Sequence, residues 1–542
     1  MKDVVAWFLV PFSWFVLAYF LVLNSSYLVL LVIASRDAFD HYRRRPYDGH
    51  DDIFANPLTP PVTVVVPAYN EETHIVESVR ALLALKYPQL EIVVVDDGST
   101  DETFGRLAGA FDLVEVPRVI PDLVPTLGRV LSSHVPRGGD PLVVVRKENT
   151  GRRSDPTNVG INAATSPLVC FIDADAILDE EALLRVVKPF VDRPERVVGT
   201  GGCIRAANGL TIYRGRIVET RFPRRWLERI QVVEYLRAFL LGRAGWSRLK
   251  GLLIISGAFG MFRRDLLIDI GGFDLHCIGE DAELVTRLHR YLRDRKWNYE
   301  FEFVAEPVCW TEVPPTRAAL AHQRRRWSRG LAQTLWKHRS MIGNPRYGRI
   351  GLVVVPYYLV FELLSPFVEL FGVVAVAAGL VFGLVNVPFA IVLFLAAVCY
   401  GVLLSLTTVV VEEFSYRRYR RWRDLAGALA AAVLENVGFR QMHAWWRWQG
   451  LLDTVLGTKA EWVKIERSGF EIHGDDGSEE DAAVYRGPER RDPASVGAAL
   501  RPGGSGIGPA GDRAAADGAA GDGAVADGSG RAVRPPGVAE AR

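Results

Sequence analysis

Cysteine is scarce in this chain of 542 residues: Cys170, Cys203, Cys277, Cys309 and Cys399 are scattered and form no C-x-x-C pair. That spacing excludes a zinc ribbon and argues against a disulfide framework, leaving reduced, mostly buried thiols as the expectation. An excess of one charge is lacking too. Lys+Arg number 64 and Asp+Glu 63, for a formal net charge of +1, so no global field points to nucleic acid or any strongly charged partner. His289 and His322 have no metal-ligating neighbour one helical turn away and read as ordinary helix-surface or interface histidines. The short apolar core and small-residue cleavage site of a secretory leader are also missing from the first residues.

What is present is segregated along the chain. Residues 4–34 are apolar apart from Pro11, Ser13 and Asn24-Ser25-Ser26, more than the ~20 residues one span needs and short of a helical hairpin. A single signal-anchor helix over residues 1–40 is expected. Arg43-Arg44-Arg45 follows it and by the positive-inside rule places residues 41–345 in the cytoplasm. A second apolar region, 351–411, is broken by Pro356, Glu362, Pro366, Glu369 and the turn-like stretch ending at Pro388. Arginines flank it on both sides (Arg346 and Arg349; Arg417, Arg418, Arg420, Arg421 and Arg423), which requires an even number of crossings. Residues 346–412 are therefore expected to form two transmembrane helices with an interfacial entry. Within 413–470 a basic loop precedes amphipathic helices, interfacial or transmembrane, with Trp445, Trp446 and Trp448 suggesting an aromatic belt. Arg224-Arg225-Trp226 opens a helix expected to lie on the bilayer surface. The tail, 471–542, has few large apolar residues and is expected to be disordered.

Between these segments strands alternate with helices. Val62-Thr63-Val64-Val65-Val66, Glu91-Ile92-Val93-Val94-Val95, residues 141–146 and Leu168-Val169-Cys170-Phe171-Ile172 are continuous apolar runs suited to parallel strands covered on both faces. Alternation of this kind predicts a doubly wound α/β sheet, in which ligands bind beyond the carboxyl ends of the strands. Pro67-Ala68-Tyr69-Asn70, Asp96-Asp97-Gly98-Ser99 and Asp173-Ala174-Asp175 stand at such ends. Residues 117–141 read as an irregular surface insertion.

Each cluster has two readings. Asp173-x-Asp175 offers hard oxygen ligands for Mg²⁺ or Mn²⁺, or serves as a pair of caps before the next helix. Asp96-Asp97 is either a turn former or an acceptor for a nucleoside. Gly279-Glu280-Asp281 leads an amphipathic helix carrying Leu284, Leu288 and Leu292; its aspartate is a cap or a general base. Gln323-Arg324-Arg325-Arg326-Trp327 is a basic patch near a membrane entry, or a site where one guanidinium neutralises a leaving diphosphate. The Trp226, Trp246, Trp310 and Trp336 side chains are expected in the core or at the membrane interface.

Taken in order, these five motifs closely resemble the family 2 glycosyltransferases, in particular the membrane-integrated branch that includes cellulose, hyaluronan and poly-N-acetylglucosamine synthases. The resemblance covers about residues 60–470. It implies a GT-A-like doubly wound mixed-sheet domain with flanking transmembrane helices, and an inverting transfer from a nucleotide sugar, with uridine diphosphate as the carrier. Carried over by position, it implies that Tyr69 and Asp97 hold the nucleoside, Asp173 contacts the nucleotide, and Asp175 binds the divalent cation, Mg²⁺ or Mn²⁺. Asp281 would be the catalytic base and Arg326 would grip the diphosphate. Gln323 and Trp327 would line the acceptor entrance, with Gly257 and Phe259 in the small-residue segment beneath the acceptor.

The chain departs from the family at Asn149-Thr150-Gly151-Arg152-Arg153-Ser154-Asp155-Pro156, where relatives carry a phosphate-binding lysine. Arg152 or Arg153 must replace it, and Pro156 removes an N–H near a helix start. Processive polysaccharide synthesis is the leading expectation, with a plasma-membrane, multi-pass location and a cytoplasmic catalytic domain. The partners implied are a nucleotide-sugar donor, a glycan or lipid acceptor, membrane lipids and accessory membrane subunits. Single-sugar transfer to a lipid or lipid-linked acceptor is the first alternative. A catalytically weak scaffold is the second, favoured only by the Arg152-Arg153 segment.

Overall fold

Val, Ile and Leu runs covered on both faces leave water only if helices pack on either side of the sheet they form, and that is the arrangement found. The computed structural model describes residues 2–44, 50–213, 216–220, 222–384, 386–416, 422–458 and 471–472. The strands are β1 (Val62–Ala68), β2 (Leu90–Asp96), β3 (Leu113–Glu115), β4 (Val130–Pro136), β5 (Leu142–Lys147), β6 (Leu168–Ile172), β7 (Ile177–Leu178) and β8 (Val197–Ala206). They continue with β9 (Leu210–Tyr213), β10 (Arg216–Thr220), β11 (Phe259–Arg263), β12 (Glu300–Thr311) and β13 (Glu471–Ile472). Ten of them form one mixed sheet in the order β3-β4-β5-β2-β1-β6-β11-β8-β12-β7, and β10-β9-β13 form a small second sheet.

β5, β2, β1 and β6 run parallel, with Ala68 opposite Asp96, Asp96 opposite Arg146, and Val65 opposite Phe171. Their carboxyl ends therefore lie side by side. The chain winds outward from β1 to β5 and then returns to the other side of β1 for β6, and a crevice opens at such a reversal. β11 pairs antiparallel with β6, Phe259 opposite Ile172. The residues just before β11 are thereby delivered to the end of β6.

The helix after β1 begins only at Ile75 and runs Ile75–Leu83. Asn70 takes a left-handed φ of 55° and its backbone N–H bonds the Ser99 hydroxyl, so the chain turns before helix can start. The Glu280–Asp294 helix buries Leu284, Leu288 and Leu292 completely, as its spacing requires. Residues 117–141 are not a surface insertion. β4 lies within them and extends the sheet, while Val124 and Pro125 wrap the Ser154–Ala163 helix through Asn162 and Asn158. His289 is buried rather than on a surface, between the Tyr299 hydroxyl at 2.7 Å and Leu252 O at 2.9 Å, and burial pushes its imidazole down to about 4.

Leu9–Arg36 and Val387–Ser415 are long and apolar enough to cross a membrane. Ile350–Leu363 and Ser365–Val381 form a pair bent by 40° that makes a third if counted as one span. The bend falls at Leu364, two residues before Pro366, whose ring cannot continue the preceding helix. Asn24 Nδ2 donates to Ala396 O at 2.7 Å and the Tyr27 hydroxyl to Glu362 at 3.2 Å, tying the amino-terminal helix to the later ones. Residues 425–457 form Trp422–Leu434 and Arg440–Val455, separated by non-helical backbone at Val437-Gly438. The second of these packs along the Arg317–Lys337 helix, so close that a Cβ on Gly450 would stand 2.5 Å from Arg325 O. Arg417, Arg418, Arg420, Arg421 and the expected disordered tail lie outside the described residues, save for β13.

Candidate active site

The acidic turns gather at the carboxyl ends of the parallel strands. Asp96 ends β2 and Asp97 follows it, both buried, while Tyr69 follows β1 and is 40% exposed. Lys147 ends β5 with no exposed surface at all. Its ammonium lies 2.6 Å from Asp97 Oδ1 and 2.8 Å from Asp155 Oδ2. Asn149 Nδ2 donates to the second Asp97 oxygen at 3.1 Å. Asp155 also accepts from the N–H groups of Leu127 and Gly128 and from the Thr150 hydroxyl; against burial, Lys147 first and then these donors hold its carboxyl below the usual range. One ammonium thus serves two buried carboxylates, and burial pushes Asp97 up to about 6. Lys147 and Asp155 escaped the motif reading; the signal available was a lysine closing a strand that opens with four apolar residues.

Beyond β6, Asp173 and Asp175 sit on one turn. Asp175 is buried and accepts from the Thr311 hydroxyl at 3.1 Å. Asp173 is paired with Arg153. The two arginines of the departing segment therefore separate: Arg153 enters the cleft, whereas Arg152 stays at the surface with Nη1 on Leu275 O at 2.6 Å. Pro156 costs no helical hydrogen bond, because Ser154–Ala163 begins two residues earlier and the N–H groups of a first turn have no partner within the helix.

Arg153 also reaches Glu280 Oε1 at 2.9 Å and Gly257 O at 2.9 Å. Gly257 in turn donates its N–H to Asp281 Oδ2 at 3.2 Å, and the other Asp281 oxygen accepts from Ala282 N at 2.8 Å. Asp281 lies in the first turn of its helix. Glu280 is buried, and burial pushes its carboxyl up against the pull of Arg153 and Arg326. Sequence reasoning assigned Glu280 no role. The turn before this helix is fastened to Arg317–Lys337: Ile278 N donates to Gln333 at 2.9 Å, and Lys337 reaches Glu283 at 2.6 Å.

Successive residues of a helix point about 100° apart, so three adjacent arginines cannot face one site. Arg324 is buried and holds Glu234 at 2.7 Å; Arg325 binds Asp453 at 2.8 Å. Arg326 is the one whose charge reaches Glu280. Trp327 is 45% exposed, with the Arg324 guanidinium 4.3 Å from its ring centre. Gln323 is partly buried, its Oε1 unpartnered among the described residues. Phe259 does not join this surface. It begins β11 inside the core at 1% exposure, where a Cβ on Gly202 would collide with its ring.

Among the described residues no three His, Cys, Asp or Glu side chains converge as a complete metal site. The D-x-D turn offers two carboxylates, a donor set that fits Mg²⁺ or Mn²⁺ when phosphate and water oxygens fill the remaining positions.

Comparison with known proteins places this geometry. The model for glycosyl transferase family 2 matches residues 63–118, and that for glycosyl transferase family group 2 matches 168–409. The chain belongs to family 2 of the glycosyltransferases. Among its relatives, the poly-beta-1,6-N-acetyl-D-glucosamine synthase of Staphylococcus aureus (strain COL) is 27% identical over 311 residues, 57% of this chain and 63% of that protein. The Staphylococcus epidermidis synthase of the same name is 26% identical over 274 residues, 51% of this chain and 55% of that protein. The chain thus spans less than two thirds of the length of these relatives. Solved structures with similar coordinates include the Pyrobaculum calidifontis mannosyltransferase PcManGT in complex with GDP-Man and Mn²⁺ (TM-score 0.43, 22% identity, covering 77% of this chain and 99% of that one). Another is S. aureus TarS 1–349 in complex with UDP-GlcNAc (TM-score 0.34, 16% identity, covering 70% and 92%).

Proposed function

We propose that this protein is a membrane-integrated, inverting glycosyltransferase that extends a polysaccharide from a nucleotide-sugar donor, with a UDP-linked N-acetylhexosamine or hexose as the class of donor. The observation that carries the reading is the convergence of Asp173, Arg153, Gly257 and Asp281 at the reversal of strand order. Tyr69 and Asp97 receive the nucleoside at the ends of β1 and β2. Asp175, with Asp173 beside it, holds a divalent cation that supplies charge neutralisation on the diphosphate. Arg153 and Arg326 oppose the charge that develops on the leaving diphosphate oxygen. Asp281 takes the proton of an acceptor hydroxyl as that oxygen bonds to the anomeric carbon and the bond to the diphosphate breaks, so no covalent enzyme intermediate forms. Trp327 and Gln323 border the acceptor entrance, with Gly257 below.

The apolar helices support insertion in the plasma membrane with the catalytic domain in the cytoplasm, and the similarity to poly-N-acetylglucosamine synthases supports polymerisation. One observation favours a second reading, transfer of a single sugar to a lipid-linked acceptor. Arg440 pairs with Glu369 at 3.3 Å and Arg447 with Glu362 at 3.7 Å, filling space between the helices that a passing glycan would need.

The test is transfer from radiolabelled nucleotide sugars by detergent-purified protein with Mn²⁺ or Mg²⁺, beside Asp281→Asn. High-molecular-weight product that the variant fails to make, with a rate loss of about 10²–10⁴-fold expected for a general base, supports the proposal. A single-sugar glycolipid selects the second reading. Equal nucleotide release by wild type and variant from every donor sinks both.

A further inference from the structure

Asp173 and Asp281 stand on different elements, one beyond β6 and the other at the start of the Glu280–Asp294 helix, and Arg153 spans the space between them. One terminal nitrogen reaches Glu280 at 2.9 Å. The other serves the Asp173 carboxylate and, at 2.9 Å, Gly257 O. Gly257 passes the connection on, since its N–H is the donor to Asp281 Oδ2. Two features of the sequence are needed for this bridge. A guanidinium presents separate donors in one rigid plane, so it can address carboxylates on two sides, which the compact ammonium of a lysine cannot do with the same geometry. Residue 257 must also lack a Cβ, which would stand 2.7 Å from Arg153 Nη1.

The two arms of the bridge differ. The Glu280 side chain is 10% exposed and that of Asp173 is 34% exposed. The Glu280 arm is the more shielded and durable; the Asp173 arm is open to competition from an incoming cation. A divalent cation at the D-x-D turn and the guanidinium draw on the same negative charge and repel each other.

We propose that Arg153 is a positioning residue that couples the cation side of the cleft to the base side: it competes with the divalent cation for Asp173 and, through Gly257, fixes the orientation of Asp281. The inference rests on the glycosyl-transfer reading. It makes Arg153 a link between donor loading and base alignment rather than a phosphate ligand alone.

The experiment is Mn²⁺ binding to the full-length protein in detergent without donor, followed by the electron paramagnetic resonance of free Mn²⁺, together with steady-state kinetics. Arg153→Met is expected to bind Mn²⁺ about tenfold more tightly, a change of about 1.4 kcal/mol, while kcat at saturating donor and Mn²⁺ falls at least about tenfold. Arg153→Lys keeps the charge and loses the fork, so its Mn²⁺ affinity stays within about twofold of wild type while kcat still falls. Glu280→Gln releases Arg153 toward Asp173 and is expected to weaken Mn²⁺ binding about threefold or more; it decides the matter if Arg153→Met does not fold. Mn²⁺ affinity unchanged in both Arg153→Met and Glu280→Gln overturns the coupling, as does a loss in Arg153→Met confined to donor KM with kcat retained. Wild type that transfers no sugar defeats the glycosyl-transfer reading instead, and the Mn²⁺ titrations still judge the competition at Asp173.

Discussion

Asp97 shows how far a motif residue's environment can differ from its motif. Its carboxylate shares the Lys147 ammonium with Asp155, so the buried trio carries one net negative charge, and burial places the excess proton affinity on Asp97, up to about 6. A carboxyl whose folded value exceeds its unfolded one binds its proton more tightly in the folded protein. Its stabilising contribution is present below the ordinary value of 3.8 and is lost as pH rises through about 6. Asp155, shifted downward, has the opposite sign: its contribution holds above the ordinary value and is lost only below it, outside the Asp97 window. Thermal midpoints in detergent should therefore decline between pH 4 and 6 by the equivalent of up to about 3 kcal/mol relative to Asp97→Asn, the variant lacking that share of the slope. An identical slope in both proteins would show that Asp97 is ionised throughout. At this scale the sequence was half legible. Asp97, Asp173, Asp175 and Asp281 stood in recognisable turns, because strand ends are marked by composition. Lys147 and Glu280 did not, because their importance comes from partners 50 and 127 residues away.

The Arg317–Lys337 helix carries a similar lesson for elements. Its three consecutive arginines look equivalent in sequence, yet helical geometry sends Arg324 to Glu234, Arg325 to Asp453 and Arg326 toward Glu280. Arg324→Met leaves Glu234 without its charged partner at a position where Arg324 itself is buried, and should cost about 3–5 kcal/mol of stability, seen as a large fall in thermal midpoint. Arg326→Met should keep a wild-type midpoint and lose about 10²–10³-fold in kcat. If the two variants exchange phenotypes, the assignment of faces is wrong. Strands with continuous Val and Ile were legible as elements, and so was the Glu280–Asp294 helix with its leucines one turn apart. β4 was not, since Val130–Pro136 mixes Ser, His and Pro in a strand whose pairing with β3 and β5 only the fold supplies. The Arg440–Val455 helix read as interfacial or transmembrane because its Arg and Trp residues suit a membrane border; in the fold it lies along Arg317–Lys337, with Trp446 buried.

For the molecule as a whole, charge and apolarity together set a topology that can be tested without any substrate. The Leu9–Arg36 helix is followed by arginines, and the apolar pair ending in Val387–Ser415 has arginines before and after it. If the bent pair crosses once and Val387–Ser415 returns, the catalytic domain and the Arg440–Val455 helix share a side, as they must if Arg325 is to bind Asp453. Val119 is 93% exposed on the catalytic domain, and Cys170, Cys203 and Cys309 are buried, so Val119→Cys introduces an accessible thiol against a quiet background. A membrane-impermeant maleimide should label Val119→Cys only after the membrane is opened, with wild type measuring any contribution from Cys277 or Cys399. Labelling in intact cells would put the domain outside, where nucleotide sugars are not supplied, and the charge argument and the proposed reaction would fail together.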